Sequence, residues 1–148
     1  MEKVWNFIIG GKEYSGKELS AVHFPYNDEL IAQVSQAGNQ DLEAAILAAQ
    51  KGFEITRKLP SFQRSRILYR LLELMDKHTD ELVTILILEG GKTRQMAQNE
   101  VTRAKETVRI SAEEAKRIGG EIVPIDWTDA GEGRLGIVRR FPLGIVLA

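Results

Sequence analysis

Apolar residues along this chain repeat with two spacings, and the change between them marks the predicted elements. Alternating apolar and polar positions predict β-strands, whereas apolar residues three or four positions apart predict amphipathic helices. Before residue 38 the alternation predicts a small assembly of β-ribbons, with a turn at Gly10-Gly11. The expected strands are Val4–Ile9, a short one that ends at Tyr14, Ala21–Phe24 and Leu30–Val34.

Helical spacing replaces this alternation in the middle of the chain. Asn39, Ser61 and Thr79 are residues of the kind that cap helix N-termini, and Gly90-Gly91 is typical of a helix end. The apolar run Leu82–Leu88 predicts a helical segment that is buried on most sides. Four helices are therefore expected, over residues 39–58, 61–77, 79–90 and 93–118.

Extended structure is expected again after residue 120. Residues 121–126 and 134–140 flank a turn-rich stretch and predict a β-hairpin. The final run, Ile145–Ala148, is apolar throughout, which is typical of a strand buried on both faces. Such a strand needs neighbours, so we expect the N-terminal piece of a larger protein. The alternative is a complete small α+β domain with an edge strand.

Composition narrows the possible functions. The 148 residues include 20 Lys and Arg against 21 Asp and Glu, a net charge of -1 that argues against nucleic-acid and membrane partners. Cys is absent, which excludes disulfides, thiolate metal sites and a cysteine nucleophile within this chain. No secretory signal and no spanning apolar run are present, so a cytoplasmic location is expected.

Four segments in order carry a family resemblance. They are FIIGGKEY with PYNDELIAQV, SFQRSRILYRLLELMDKHTDELVTILILEGGK, NEVTRAKETVRISAEEAKRIGGEIVPI, and VRRFPLGIVLA. Together they resemble the N-terminal portion of the NAD(P)-dependent aldehyde dehydrogenase superfamily, over essentially the whole chain. The resemblance is closest to lactaldehyde and non-phosphorylating glyceraldehyde-3-phosphate dehydrogenases.

The resemblance implies an α/β fold of the aldehyde dehydrogenase type, present here as an N-terminal fragment. Residues 1–120 would hold the ribbons and helical bundle of the nucleotide-binding domain. Residues 121–141 would form a hairpin that mediates homo-oligomerisation, and residues 142–148 would begin the nucleotide-binding sheet. The remainder of the enzyme chain would be the main partner of this segment.

The resemblance also implies an activity for the parent enzyme. It would oxidise a short, hydroxylated or phosphorylated aldehyde to the acid through a Cys thiohemiacetal, with NAD or NADP as cofactor. Because this chain holds no Cys, we expect it to be inactive alone, with no catalytic residue and no cofactor of its own. The alternative is a stand-alone helix and β-ribbon interaction module without catalysis.

Arg103 is the one candidate substrate-binding residue. The resemblance places it on a helix that faces the aldehyde entrance, where a guanidinium suits a phosphate or, more widely, an anionic or hydroxylated short aldehyde. The alternative is a solvated arginine that pairs with Glu100, Glu106 or Thr107 on the same helix, the two acids being three residues away.

No metal site is expected. By the resemblance, Glu89 is a weak candidate for binding a structural monovalent cation, and the alternative is an exposed acid without a function. His23 and His78 each lack a second histidine at ligand spacing. The sequence Gly90-Gly91-Lys92 lacks the spacing of a phosphate-binding loop and follows a helix instead of a strand.

Overall fold

The computed structural model describes residues 3–147 as ribbons, then helices, then a hairpin. The first strands are β1 Lys3–Trp5, β2 Phe7–Ile9, β3 Lys12–Tyr14, β4 Glu18–His23 and β5 Leu30–Gln36. The helices are α1 Asn39–Thr56, α2 Ser61–Lys77, α3 Thr79–Gly90 and α4 Arg94–Glu114. The hairpin strands are β6 Glu121–Val123 and β7 Gly136–Val138, with a single 3-10 turn, Asp129–Gly131, between them.

The N-terminal ribbons form two small sheets. β1 pairs parallel with β5, and β4 pairs antiparallel with the other edge of β5. β2 and β3 form a separate hairpin, whose turn residues Gly10 and Gly11 have positive φ of 58° and 81°. The single strand expected over Val4–Ile9 is therefore wrong: it divides at Asn6, because its two halves form hydrogen bonds in different sheets.

The helices begin and end close to the expected positions, but three predicted caps differ. Gly38, Pro60 and His78 are the N-cap residues, each one position before the predicted residue. The Thr79 hydroxyl donates to the carbonyl of Met75 at 2.9 Å instead of capping α3. At α4 the Thr93 hydroxyl accepts from the Met96 backbone N–H at 3.3 Å, which satisfies one otherwise unpaired donor.

Helix α4 is shorter than predicted. It ends at Glu114 instead of Ile118, and the backbone N–H groups of Lys116 and Arg117 donate three residues back, to Glu113 and Glu114. Such tighter bonds are common in the last turn of a helix. The overestimate arose because no Gly or Pro interrupts this part of the sequence before Gly119.

A buried core cluster lies where α4 packs against α3, and α2 packs along α4 as well. Val83, Ala97 and Val101 form its buried centre, with exposed fractions of 2%, 0% and 4%. Ala112 on α4 and Ala115, the C-cap residue of α4, are also buried, so small side chains let the helices approach closely. The run Leu82–Leu88 is less buried than expected: only Val83 is buried, and most of its neighbours are half-buried.

Hydrogen bonds from two cationic side chains hold α4 antiparallel to α2. Arg64, near the start of α2, donates to the carbonyls of Leu59 at 2.6 Å and Ala115 at 3.4 Å. Lys105, midway along α4, donates to the Asp76 carboxylate at 3.0 Å and to the Thr79 hydroxyl at 3.2 Å. These contacts set the register of the two helices at both ends of α2.

The C-terminal segment departs from its prediction. Residues 142–147 contain no regular structure, so the strand expected over Ile145–Ala148 is absent from the part described, and Ala148 lies outside it. Leu143 and Leu147 are 93% and 92% exposed. An apolar run of this kind forms a strand only when neighbouring strands bind its edges, and the described residues provide none. Across residues 3–147, no helix is both long and apolar enough to span a membrane.

We predict that Ala97→Leu lowers the free energy of unfolding by about 1–3 kcal/mol, because the added atoms have no space between α3 and α4. Ala44→Leu, at an exposed position of α1, is the matched control and should change stability little. Urea unfolding followed by circular dichroism measures both. Equal stability of the two variants would contradict the tight packing at Ala97.

Candidate functional site

An open groove runs along the N-terminal half of α4. Its volume is about 570 Å³, and it lies beside the turn that joins α3 to α4. Helical spacing brings its α4 residues onto one face. The lining residues are Lys92, Met96, Asn99, Glu100, Arg103, Ala104 and Thr107.

Arg103 lies in this groove, and its guanidinium has no partner among residues 3–147. Among residues 3–147, no carboxylate or carbonyl accepts a hydrogen bond from its side chain. Its backbone carbonyl accepts from the Thr107 hydroxyl at 3.1 Å, a contact internal to α4. The structure therefore presents a permanently charged fork of donors to the groove.

Both acids that could neutralise Arg103 bind other cations. The Glu100 carboxylate pairs with the Lys92 ammonium, which reaches it from the preceding turn. The Glu106 carboxylate accepts from Arg109 Nη2 at 2.6 Å and Nε at 3.1 Å. The solvated ion pair between Arg103 and Glu100 or Glu106, considered from the sequence, is not formed.

The ion pair between Arg109 and Glu106 shifts the pKa of both side chains. The hydrogen bond from Arg109, followed by its charge, holds the pKa of the exposed Glu106 carboxyl below its ordinary value of 4.5. The same hydrogen bond, followed by the negative charge of Glu106, raises the pKa of Arg109, with a further contribution from the Glu113 charge. Arg109 also donates to Glu113 at 2.8 Å. Glu106 is thus anionic and engaged at neutral pH.

A smaller apolar cavity adjoins the groove. It encloses about 250 Å³ between α2, α3 and α4, and it shares Glu100 and Ala104 with the groove. Its remaining lining is almost entirely aliphatic: Met75, Leu82, Ile85, Leu86 and Val101. A charged groove beside an apolar recess suits a small molecule with one anionic group and a short carbon chain.

The C-terminal hairpin carries an exposed apolar face. Ile122 lies directly opposite Ile137 in the antiparallel register, and the two are 71% and 63% exposed. Trp127 and Leu135, in the connecting loop, are 83% and 67% exposed. A group of exposed large apolar side chains in one segment is typical of interaction sites.

The segments that compose these features match a known family. The family model described as "Aldehyde dehydrogenase family" matches residues 12–148, which is most of the chain. The chain belongs to the aldehyde dehydrogenase family. The expected resemblance and the expected fold are thereby confirmed.

Individual aldehyde dehydrogenases share this segment. An aldehyde-dehydrogenase-like protein of Sinorhizobium fredii, y4uC, is 40% identical over 86% of this chain and 25% of its own length. Malonate-semialdehyde dehydrogenase of Bacillus cytotoxicus is 35% identical over 99% of this chain and 29% of its own length. The chain thus spans between a quarter and a third of these curated relatives.

A solved structure gives the corresponding likeness of fold. Aldehyde dehydrogenase 21 of Physcomitrella patens, crystallised with its reaction product succinate, superposes with a TM-score of 0.89 at 30% identity. The match covers 96% of this chain and 30% of that one. The described ribbons and helices therefore have the aldehyde dehydrogenase arrangement.

The other candidate residues stand apart from the groove. Glu89 is exposed in the last turn of α3, and its predicted role with a structural cation stays a prediction. His23 and His78 bind Asp28 and Glu81 through Nδ1. Within residues 3–147, no three His, Asp or Glu side chains are grouped to hold a metal ion.

Sequence reasoning missed the two cations that engage the acids. Arg109 could have been found, because it lies three residues after Glu106 and helical spacing brings them together. Lys92 is eight residues from Glu100 and outside α4, so no helical pattern relates the two. Only the path of the turn after α3 brings them into contact.

We predict that Arg109→Met raises the pKa of Glu106 towards its ordinary 4.5, because the main donor to its carboxylate is lost. A carbon-detected NMR titration of the side-chain carboxyl measures it. Arg70→Met removes a comparable helical pair, with Glu73, and should leave the Glu106 pKa unchanged. A Glu106 pKa unaffected by loss of Arg109 would contradict the pairing.

Proposed function

We propose that this chain forms the N-terminal part of an NAD(P)-dependent aldehyde dehydrogenase that oxidises a short anionic aldehyde. The observation that carries the proposal is the unpaired Arg103 guanidinium in the α4 groove. Two neighbouring acids are engaged elsewhere, so the Arg103 charge is available to a ligand. A cation kept free of its own helix partners favours an anionic group on the substrate.

The names of two relatives support a carboxylated aldehyde. One relative is a malonate-semialdehyde dehydrogenase, and the structure of the other contains its reaction product succinate. An aldehyde with a second, carboxylate terminus presents two coplanar oxygens to a planar guanidinium, which can donate to both. These names narrow the expected substrate from any short anionic aldehyde to one that carries a carboxylate. The phosphorylated and hydroxylated aldehydes become the rival substrates.

The cofactor would be bound outside the described residues. Within them, the junction of β5 with α1 is the place where a strand leads directly into a helix, and it has a single glycine, Gly38. The Asp41 carboxylate already accepts from the Gly38 N–H at 2.8 Å. The negative charge of Asp41 would repel a phosphate group, which otherwise binds well at a helix N-terminus. This junction therefore does not fit a dinucleotide. NAD or NADP would supply the hydride acceptor from the rest of the enzyme.

The nucleophile for the reaction would also lie outside this chain. The chain has no Cys, so the thiolate that the family resemblance implies must come from the remainder of the enzyme. What this chain contributes is binding: Arg103 orients the anionic end of the aldehyde, while the aliphatic recess excludes water beside it. The isolated chain is accordingly expected to be inactive.

Arg103→Ala in the complete enzyme is expected to lower kcat/KM for malonate or succinate semialdehyde about 10- to 100-fold, through loss of a charged hydrogen bond. NADH or NADPH formation measures the rate. Lactaldehyde oxidation should change little, and glyceraldehyde 3-phosphate tests the phosphate alternative. Arg94→Ala, at the exposed start of α4 and outside the groove, is the matched control.

Three results would overturn parts of the proposal. If the gene's reading frame encodes no Cys-containing segment after this chain, the catalytic proposal is wrong and the alternative of an interaction module is favoured. If the wild type and Arg103→Ala oxidise every aldehyde equally well, Arg103 does not bind the substrate and is an ordinary surface residue. A loss confined to glyceraldehyde 3-phosphate assigns the phosphorylated substrate instead.

The hairpin of β6 and β7 is the proposed homo-oligomer contact. Its exposed Ile122 and Ile137 pair lies on a surface that a second copy could cover. We expect Ile137→Asp to convert the oligomer to smaller species in light scattering after size exclusion, because a buried carboxylate is costly. Ile55→Asp, at a residue of α1 that is 68% exposed, is the control. An unchanged mass in both variants would contradict this contact.

A further inference from the structure

The turn Gly90-Gly91-Lys92 has no role in the function proposed so far. Gly91 caps the end of α3 in the left-handed conformation, with φ of 62°. A Cβ on Gly91 would lie 3.3 Å from the Pro25 ring, so the turn also packs closely against the loop after β4. This turn places Lys92 so that its side chain extends towards α4.

The Lys92 side chain is held along its length. Its Cγ and Cε lie 3.6 Å from the position a Cβ would take on Gly90, so the aliphatic stem packs over that glycine. The ammonium pairs with the Glu100 carboxylate in the groove, and the Lys92 side chain is 33% exposed. Lys92 is therefore a half-buried residue with a defined partner.

Glu100 has a second cation within reach. Arg103 is three residues further along α4, the spacing at which glutamate and arginine pair on a helix surface. Both residues line the same groove. Lys92 and Arg103 thus compete for one carboxylate, and in the structure Lys92 holds it.

We propose that Lys92 is a positioning residue for substrate specificity: by binding Glu100, it keeps the Arg103 guanidinium free for the anionic group of the aldehyde. The inference rests on the proposed function and deepens it, because it states what keeps the site cationic. Without Lys92, Glu100 turns to Arg103 and presents its own negative charge to the incoming anion.

The test uses the complete enzyme and the anionic aldehyde for which Arg103→Ala raises KM. Lys92→Met is expected to raise KM for that aldehyde about fivefold, the range of a partly exposed ion pair, with kcat unchanged. Propionaldehyde, which carries no charge, should show no change in KM. Lys77→Met, at an exposed lysine that ends α2, is the matched control.

Removal of the acid provides the decisive variant. In the double variant Lys92→Met with Glu100→Gln, no carboxylate remains to pair with Arg103, so KM should return to within about twofold of the wild type. Lys92→Arg keeps the cation and should also preserve KM. Glu43→Gln, at an exposed acid on α1, replaces Glu100→Gln in the control double variant and should give no rescue.

The outcomes separate the two proposals. If Arg103→Ala raises KM but Lys92→Met does not, the role of Lys92 is wrong and the proposed substrate class stands. If Lys92→Met raises KM and Glu100→Gln fails to restore it, Lys92 acts through its own charge, which also overturns the inference. If Lys92→Met does not fold, a raised KM in Lys92→Arg would overturn it. If Arg103→Ala changes kcat/KM for none of the aldehydes, both proposals are wrong.

Discussion

Close packing of α4 against α2 and α3 is the constraint on which the site depends. Ala97 and Ala112 on α4, and Ala115 at its C-cap, are buried and leave room for the neighbouring helices. Arg64 and Lys105 set the antiparallel register with hydrogen bonds at both ends of α2. Once this face is buried, helical geometry turns Glu100 and Arg103 towards the groove. The same helix thus supplies the core and the candidate binding surface.

Charge arrangement then decides what the groove can bind. Arg103 lies between two acids at helical spacing, and each acid is engaged by a different cation, Lys92 or Arg109. Exposed ion pairs of this kind contribute little to stability. Their consequence here is electrostatic, because among residues 3–147 they leave the Arg103 guanidinium without a partner in a groove, which is the basis of the proposed binding of an anion.

The distribution of apolar residues leaves much apolar surface uncovered among residues 3–147. Val83 is the largest side chain that is fully buried among residues 3–147. Large apolar side chains remain exposed on the hairpin and along residues 141–147, including Ile122, Ile137 and Phe141. A segment with this surface gains stability by covering it, in agreement with its match to part of longer aldehyde dehydrogenases.

Most of the elements, the family resemblance and the candidate Arg103 could be predicted from the order of residues alone. Periodicity located four helices and the hairpin because helix and strand spacing depend on near neighbours. Tertiary structure decided the rest. The break at Asn6 follows from pairing in two sheets, and the missing strand at 145–147 from the absence of pairing partners in the described chain. The Lys92 contact with Glu100 depends on a turn in three dimensions, and no local pattern encodes a contact of that kind.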